Sequence, residues 1–356
     1  MSGPLTGLRV LEMEAIGPVP WAAMMLADMG ATVTRVERPV AADMGLAREA
    51  RYELTSRGKQ GVAADLKTDA GRATVLDLVA QSDVLLEGLR PGVMERLGLG
   101  PETCLEQNPA LIYGRMTGWG QTGPQAQTVG HDINYLAATG VLHAIGPAEG
   151  PPAVPLNLIG DFGAGGMLLL VGVLAALFEA RTSGKGQVID AAMVDGSLLL
   201  LAPILGRWQA GQWEDRRAAN FLDGGAHFYT TYATSDGQAM AVGAIEPRFY
   251  NALLEGLELD KASLPAQHDR TCWPEMRSRF ADIFKQHPRE YWVRRFEGTE
   301  ACVSPVLSLE EATTHRHFLV RDNFLQIDQV LHPAPAPRFS RTPCAVPSSP
   351  AHRHSE

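Results

Sequence analysis

The first apolar runs of the chain are short and evenly spaced. LRVLEM (8–13) and TVTRVE (32–37) read as strands, and between them the loop EAIGPVP leads into PWAAMMLADMG, a helix closed by Gly30. That is a βαβ unit. Four more strand-like runs, GVAADL, SDVLLEG, ALIYGRM and QVIDAAM, alternate with helical stretches to about residue 195. The alternation predicts an α/β, Rossmann-like large domain over 1–195, its parallel sheet covered on both faces. LLLLAPILGRWQAGQW then predicts a long helical linker over 196–221. FYTTYAT and QAMAVGAI, joined by the turn SDG, predict an antiparallel hairpin, and with PRFYNALLEGL and CWPEMRSRFADIFKQ as helices they make a smaller α+β domain over 222–315. Residues 316–356 are read as a return segment associated with the large domain, with a Pro- and Ser-rich tail that is extended or partly disordered. The longest apolar run, 167–178, falls short of the ~20 residues that span a bilayer and predicts a buried core helix.

Composition adds mainly exclusions. With 356 residues, 45% of them apolar and 20% charged, the chain can build two packed cores. A formal charge of −9 argues against a nucleic-acid or anionic-membrane surface, so any anionic ligand must be held by local cations. The four cysteines, Cys104, Cys272, Cys302 and Cys344, form no CxxC pair and give neither a zinc motif nor a disulfide framework. No secretory signal opens the chain and the terminal HSE is not a peroxisomal address, so a reducing, cytoplasmic setting is expected.

The first βαβ unit invites a dinucleotide reading, but its loop is Ile16-Gly17-Pro18-Val19-Pro20 and lacks G-x-G-x-x-G. Basic residues recur near expected strand ends: Arg38, Arg57, Lys59, Lys67, Arg90 and Arg96. Beyond the carboxyl ends of a parallel sheet they can converge on a phosphorylated ligand; taken singly, each is equally a solvated surface charge. Two acid–base groups lie in glycine-flanked settings, His131 in GHDINYLAATG and Asp161 in NLIGDFGAGG. A carboxylate at a helix N-terminus is held ionised by the dipole and by free N–H groups, and the same N–H groups receive an oxyanion. The alternative for Asp161 is a simple N-cap, and for His131 a hydrogen-bonded structural residue. His143, His227 and the His-Arg-His at 315–317 lack the spacing of a zinc helix, and no metal is expected.

GPLTGLRVLEMEAIGPVPWAAMMLADMGATVTRVERP, AADLK, EGLRPGVMERLGLGP, RMTGWGQTGP, GHDINYLAATGVLHAIG, PLNLIGDFGAGG, SGKGQVIDAAMVDGS and VGAIEPRFY occur in order between residue 3 and about 343. Together they resemble the α-methylacyl-CoA racemases, which have the family III CoA-transferase fold. The resemblance implies an isomerase that interconverts (R)- and (S)-2-methylacyl-CoA thioesters by α-proton exchange through an enolate. It implies no metal, flavin, pyridoxal or nicotinamide, CoA being part of the substrate. His131 and Asp161 would stand on opposite sides of the α-carbon, Glu246 of AIEP would support the histidine, and Asn157 and Tyr229 would line the same pocket. The CoA contacts carry over to Arg38, to Ala64, Asp65, Leu66 and Lys67, to Gly88, Arg90 and Arg96, and to Gly130 through Tyr135. An interlocked homodimer is implied, Glu246 and Tyr229 meeting His131 and Asp161 across subunits. Two rivals stand beside this reading: a CoA-transferase using Asp161 as a covalent nucleophile, in which His131 is generally not matched, and a non-catalytic CoA-binding module. His227 and Thr230 are expected on the pocket side of the hairpin, where the family varies, so the acyl group stays open.

Overall fold

The computed structural model describes residues 2–40 and 49–350. Two compact units are built from interleaved pieces of chain. The first comprises Met1–Thr139, Leu156–Leu201 and Arg316–Glu356, the second Gly140–Pro155 and Ala202–His315. Residues 140–155 therefore pack with the second unit instead of the 1–195 region, and the border at 201/202 cuts the stretch read as one linker. Pro203 accounts for the cut: with no N–H and a ring that collides with the preceding turn, it fits the first turn of a new helix and not the middle of an old one.

The first unit begins β1 (Arg9–Met13), α1 (Pro18–Asp28), β2 (Thr32–Glu37), β3 (Lys59–Ala63), α2 (Asp69–Val79), β4 (Val84–Glu87), α3 (Val93–Arg96), α4 (Pro101–Gln107), β5 (Ile112–Thr117) and α5 (Asp132–Ala138). After residues 140–155 come a π-helical segment, Leu158–Gly166, then α6 (Met167–Ser183), β6 (Gln187–Ala192) and α7 (Met193–Leu200). The six strands are all parallel, in the order β3-β2-β1-β4-β5-β6. Neighbouring strand residues face opposite layers, as a pleat requires. Val10 and Leu86 join Leu26, Leu169 and Val173 on the face covered by α1 and α6. Leu11 and Leu85 join Val75, Val79 and Met94 on the other. The order reverses between β1 and β4, which opens a crevice beyond their carboxyl ends.

The length expectation for the apolar helix is corrected. The π-helical segment and α6 run on as one stretch, Leu158–Ser183, of 26 residues with mean hydropathy 2.0 in its most apolar window. By length and composition it suffices to cross a membrane, and 39% of that window is buried. Its buried side chains, Leu169, Leu170, Val173 and Ala176, pack on the sheet.

Two of the basic residues collected from the sequence are structural. Arg57 is buried in an ion pair with Asp28 at 2.6 Å, and Lys59, buried at the start of β3, pairs with Glu12 at 2.6 Å. Burial raises the Asp28 pKa despite its arginine and lowers that of Lys59 despite its glutamate, so neither cation is available to a ligand.

The second unit starts with α8 (Ala202–Gln209) and holds an antiparallel sheet of β7 (Tyr229–Ala233), β8 (Ala239–Gly243) and β9 (Val303–Pro305), the last of them unexpected from sequence. α9 (Pro247–Gly256), α10 (Trp273–Phe284) and α11 (Arg289–Phe296) complete an aromatic core around Phe228, Tyr250, Phe280 and Trp292. His227 is part of that core: it is buried, with Nε2 2.8 Å from the Tyr250 hydroxyl. It is thus not the pocket-side residue expected, whereas Thr230 is half-buried on β7.

The return segment forms a hairpin, Phe324–Ile327 with Val330–Pro333, which sequence did not foretell. The guanidinium of Arg57 donates to the Pro333 carbonyl at 2.7 Å. The Pro/Ser-rich tail is extended and docked through residue 350, Gly58 N–H donating to Ser348 O and Ala345 N–H to Ser2 O. The remainder of the tail, 351–356, lies outside the described residues.

Candidate active site

The two acid–base groups picked from the sequence come together in the first unit. His131 occupies the cap position of α5 in extended conformation, its backbone N–H donating to Asn134 Oδ1 at 3.0 Å. Its side chain is exposed. Asp161 lies in the first turn of the π-helical segment, and Asn157 Nδ2 donates to its Oδ2 at 3.0 Å. His131 is near enough for a positive charge there to lower the Asp161 pKa.

The surroundings of Asp161 are assembled from several elements. Gly17, at the end of the β1 loop, has φ +67°, and a Cβ there would stand 3.1 Å from Asp161 Oδ2. Only glycine combines that backbone with that approach. Asp132, the first residue of α5, is buried, and its Oδ2 accepts the Asp161 backbone N–H at 2.8 Å. The Tyr135 hydroxyl donates to Gly130 O at 2.6 Å, fixing the residue before His131. Burial, helped by the Asp161 charge, raises the Tyr135 pKa and keeps it a neutral donor.

Two expectations about Asp161 change. It is not an N-cap, since Asn157 holds that position, and its own N–H is engaged by Asp132 and not free for an oxyanion. Its proton affinity is set by opposing causes. Burial, the largest, raises the pKa, the Asn157 amide lowers it, the Asp132 charge raises it and His131 lowers it, for a net rise above the ordinary carboxylate value. A π-helical turn is rare and tends to occur where function demands an unusual backbone.

The residues matched to CoA contacts fall on the carboxyl edge of the sheet. Arg38 follows β2, its N–H donating to Glu14 Oε2 at 3.1 Å. Ala64 to Lys67 follow β3 as a turn in which Ala64 N–H donates to Glu37 O, Lys67 N–H to Asp65 Oδ1, and Leu66 O accepts from Arg72. Gly88 and Arg90 follow β4, with Arg96 ending α3. Lys67, Arg90 and Arg96 are exposed and form no ion pair among the described residues. Beneath them, buried Arg115 ties Glu87 to Glu95 at 2.9 and 2.7 Å, which fixes the loop carrying Arg90.

Glu246 and Tyr229 belong to the second unit. They share one end of its hairpin: Tyr229 pairs with Gly243, and Glu246, exposed, caps α9 three residues further on. Among the described residues no three His, Cys, Asp or Glu side chains gather as a metal site would need. Asp132 entered the sequence reading only within the Gly130–Tyr135 stretch matched to CoA contacts; an aspartate opening a helix is ordinarily solvated, and nothing in the one-dimensional pattern marks its carboxylate as buried against Asp161.

The family model for CoA-transferase family III matches residues 5–354. The chain belongs to that family. Within it, the chain is 48% identical to "Alpha-methylacyl-CoA racemase" of Mus musculus over 97% of this chain and 88% of that protein. Similarity to "Succinyl-CoA:glutarate CoA-transferase" of Homo sapiens is lower, 29% over 95% of this chain and 81% of that one. A CAIB/BAIF family protein from Brucella suis has the same fold, with a TM-score of 0.83, 24% identity and coverage of 99% of this chain and 96% of that one. Family membership agrees with the α/β fold and with the resemblance read from the motifs.

Proposed function

We propose that the chain is an isomerase that interconverts (R)- and (S)-2-methylacyl-CoA thioesters. The observation that carries this reading is the pairing of His131 with a partly buried Asp161 of raised proton affinity. The greater identity to a racemase than to a transferase supports it. An α-proton beside a thioester is weakly acidic, so reaction in both directions needs two groups of comparable affinity. One base takes the α-proton as its C–H electron pair moves into an enolate whose negative charge rests on the thioester oxygen. The other then delivers a proton to the opposite face of the α-carbon, and the C–H bond re-forms there. Raising Asp161 toward the imidazole range brings the two groups closer to that match. The protons and electrons balance without an added cofactor.

Arg38, Lys67, Arg90 and Arg96 hold the CoA phosphates along the sheet edge, with the backbone at Ala64–Leu66, Gly88 and Gly130 allowing close approach. We further read the active form as a homodimer in which Glu246 and Tyr229 of one copy complete the site of the other. Large apolar side chains exposed on the first unit, Val171 and Phe178 on α6 and Leu198 and Leu199 on α7, support an extensive interface. Four free cysteines fit a reducing, cytoplasmic setting.

The test is deuterium uptake from heavy water at the α-carbon of either epimer of a 2-methylacyl-CoA. Both epimers should exchange, and Asp161→Asn should lower kcat by about 10³-fold or more. Movement of CoA between two carboxylates, with no α-exchange, would instead establish a transferase.

A further inference from the structure

The carboxylate of Asp132 is buried, its residue only 5% exposed, and it makes a single hydrogen bond, from the Asp161 N–H to Oδ2 at 2.8 Å. Its other oxygen, Oδ1, is buried with no hydrogen-bond partner among the described residues. A carboxylate so poorly satisfied is costly to bury, and a structural role alone would be met by an asparagine or a serine. Room for it is kept by Gly160, where a Cβ would come within 2.5 Å of Oδ2. The bond joins the residue after His131 to the backbone of Asp161, so it ties the two proton-transfer groups together across 29 positions of sequence.

We propose that Asp132 is a positioning residue for the isomerisation: its buried carboxylate fixes the separation of His131 and Asp161 and sets a negative charge against the backbone of Asp161. The inference rests on the two-base reading above. Its charge acts on Asp161 in the required direction, opposing the Asn157 amide and His131. The remaining titratable group facing Asp161 from α5 is Tyr135. On the other elements packed against the π-helical segment, Asp28 of α1 is paired with Arg57, and Glu179 and Arg181 of α6 and Asp195 of α7 are not among the groups that shift Asp161.

Asp132→Asn keeps the acceptor and removes the charge. Thermal melting first verifies the fold, and kcat and KM for epimerisation are then measured from about pH 4 to 9. The expected result is a KM within about twofold of the parent and an acid limb of kcat displaced to lower pH by roughly half a unit or more. The displacement is downward because loss of a negative neighbour makes the Asp161 proton easier to remove. Asp132→Ala, which loses the acceptor as well, should lower kcat by a further ~10-fold or more through misplacement of Asp161. An acid limb unchanged in the folded Asn variant would overturn the proposal. Absence of α-exchange in the parent enzyme would strike the two-base reading itself, so the two failures are separable.

Discussion

At the scale of single residues, the site is governed by what surrounds one carboxylate. Burial pushes the Asp161 pKa up, the Asn157 amide pulls it down, the Asp132 charge raises it and a positive charge at His131 would lower it, and the balance leaves it above that of a solvated aspartate. Gly17 is where that balance is most exposed to substitution. Gly17→Ala would place a methyl 3.1 Å from Asp161 Oδ2 at a backbone φ of +67°. The left-handed conformation alone costs about 1 kcal/mol for alanine, and a displaced carboxylate costs more in rate than in stability. We expect kcat to fall at least ~10-fold with a small change in melting temperature, measured by epimerisation assay and calorimetry. The motif letters GHD and GDFG were enough to single out His131 and Asp161. They could not show that Asp132 is buried against the Asp161 backbone, a contact between segments 29 residues apart, or that the turn from Asn157 to Asp161 is π-helical and lets the Asn157 amide reach the Asp161 carboxylate.

Single elements carry their own tests. β3 enters the sheet with Lys59 paired to Glu12, and both side chains are buried. Removing one partner of such a pair leaves an unneutralised charge, so Lys59→Met should destabilise the protein by about 3–5 kcal/mol in urea unfolding. Adding Glu12→Leu should recover most of that loss. In the hairpin of the second unit, burial, with a smaller contribution from the His268 charge, pushes His227 down to about 4. The folded state therefore favours neutral imidazole, while the unfolded chain takes up a proton near pH 6.5. Stability is unaffected by this group above that value and falls as pH drops toward about 4, by on the order of 3 kcal/mol in all. Melting curves from pH 7 to 4 should show the decline, and His227→Gln should flatten it. Strand periodicity located β1 to β8, yet β9 and the hairpin of the return segment escaped it. Each is a strand of three or four residues, too short for alternation to register against its neighbours.

For the whole molecule, the parallel sheet gathers residues from β2, β3, β4 and the segment after β5 onto one edge, and the proposed anion binding by a chain of net charge −9 relies on the exposed cations there. Attraction of that kind is local and screened. Arg90→Ala should raise KM for the thioester by about 5- to 10-fold with little change in kcat, and the effect should shrink as salt is increased. Size-exclusion chromatography with light scattering should give a dimer; an active monomer would remove the role assigned to Glu246 and Tyr229 from a second copy.

The sequence by itself determined the alternation of strands and helices through β8, the α/β class, and the candidate acid and base, since these follow from local periodicity and from motifs that resemble those of a known family. Only the tertiary structure decided which cations are free. Arg57 and Lys59 read like Arg90 and Arg96 along the chain, yet they are consumed in buried ion pairs. It also decided that residues 140–155 pack with the second unit and that the Pro/Ser-rich tail docks through residue 350. The reason is physical: burial and charge pairing arise between segments far apart in sequence, and a pattern of neighbouring letters holds no record of what comes to lie beside them.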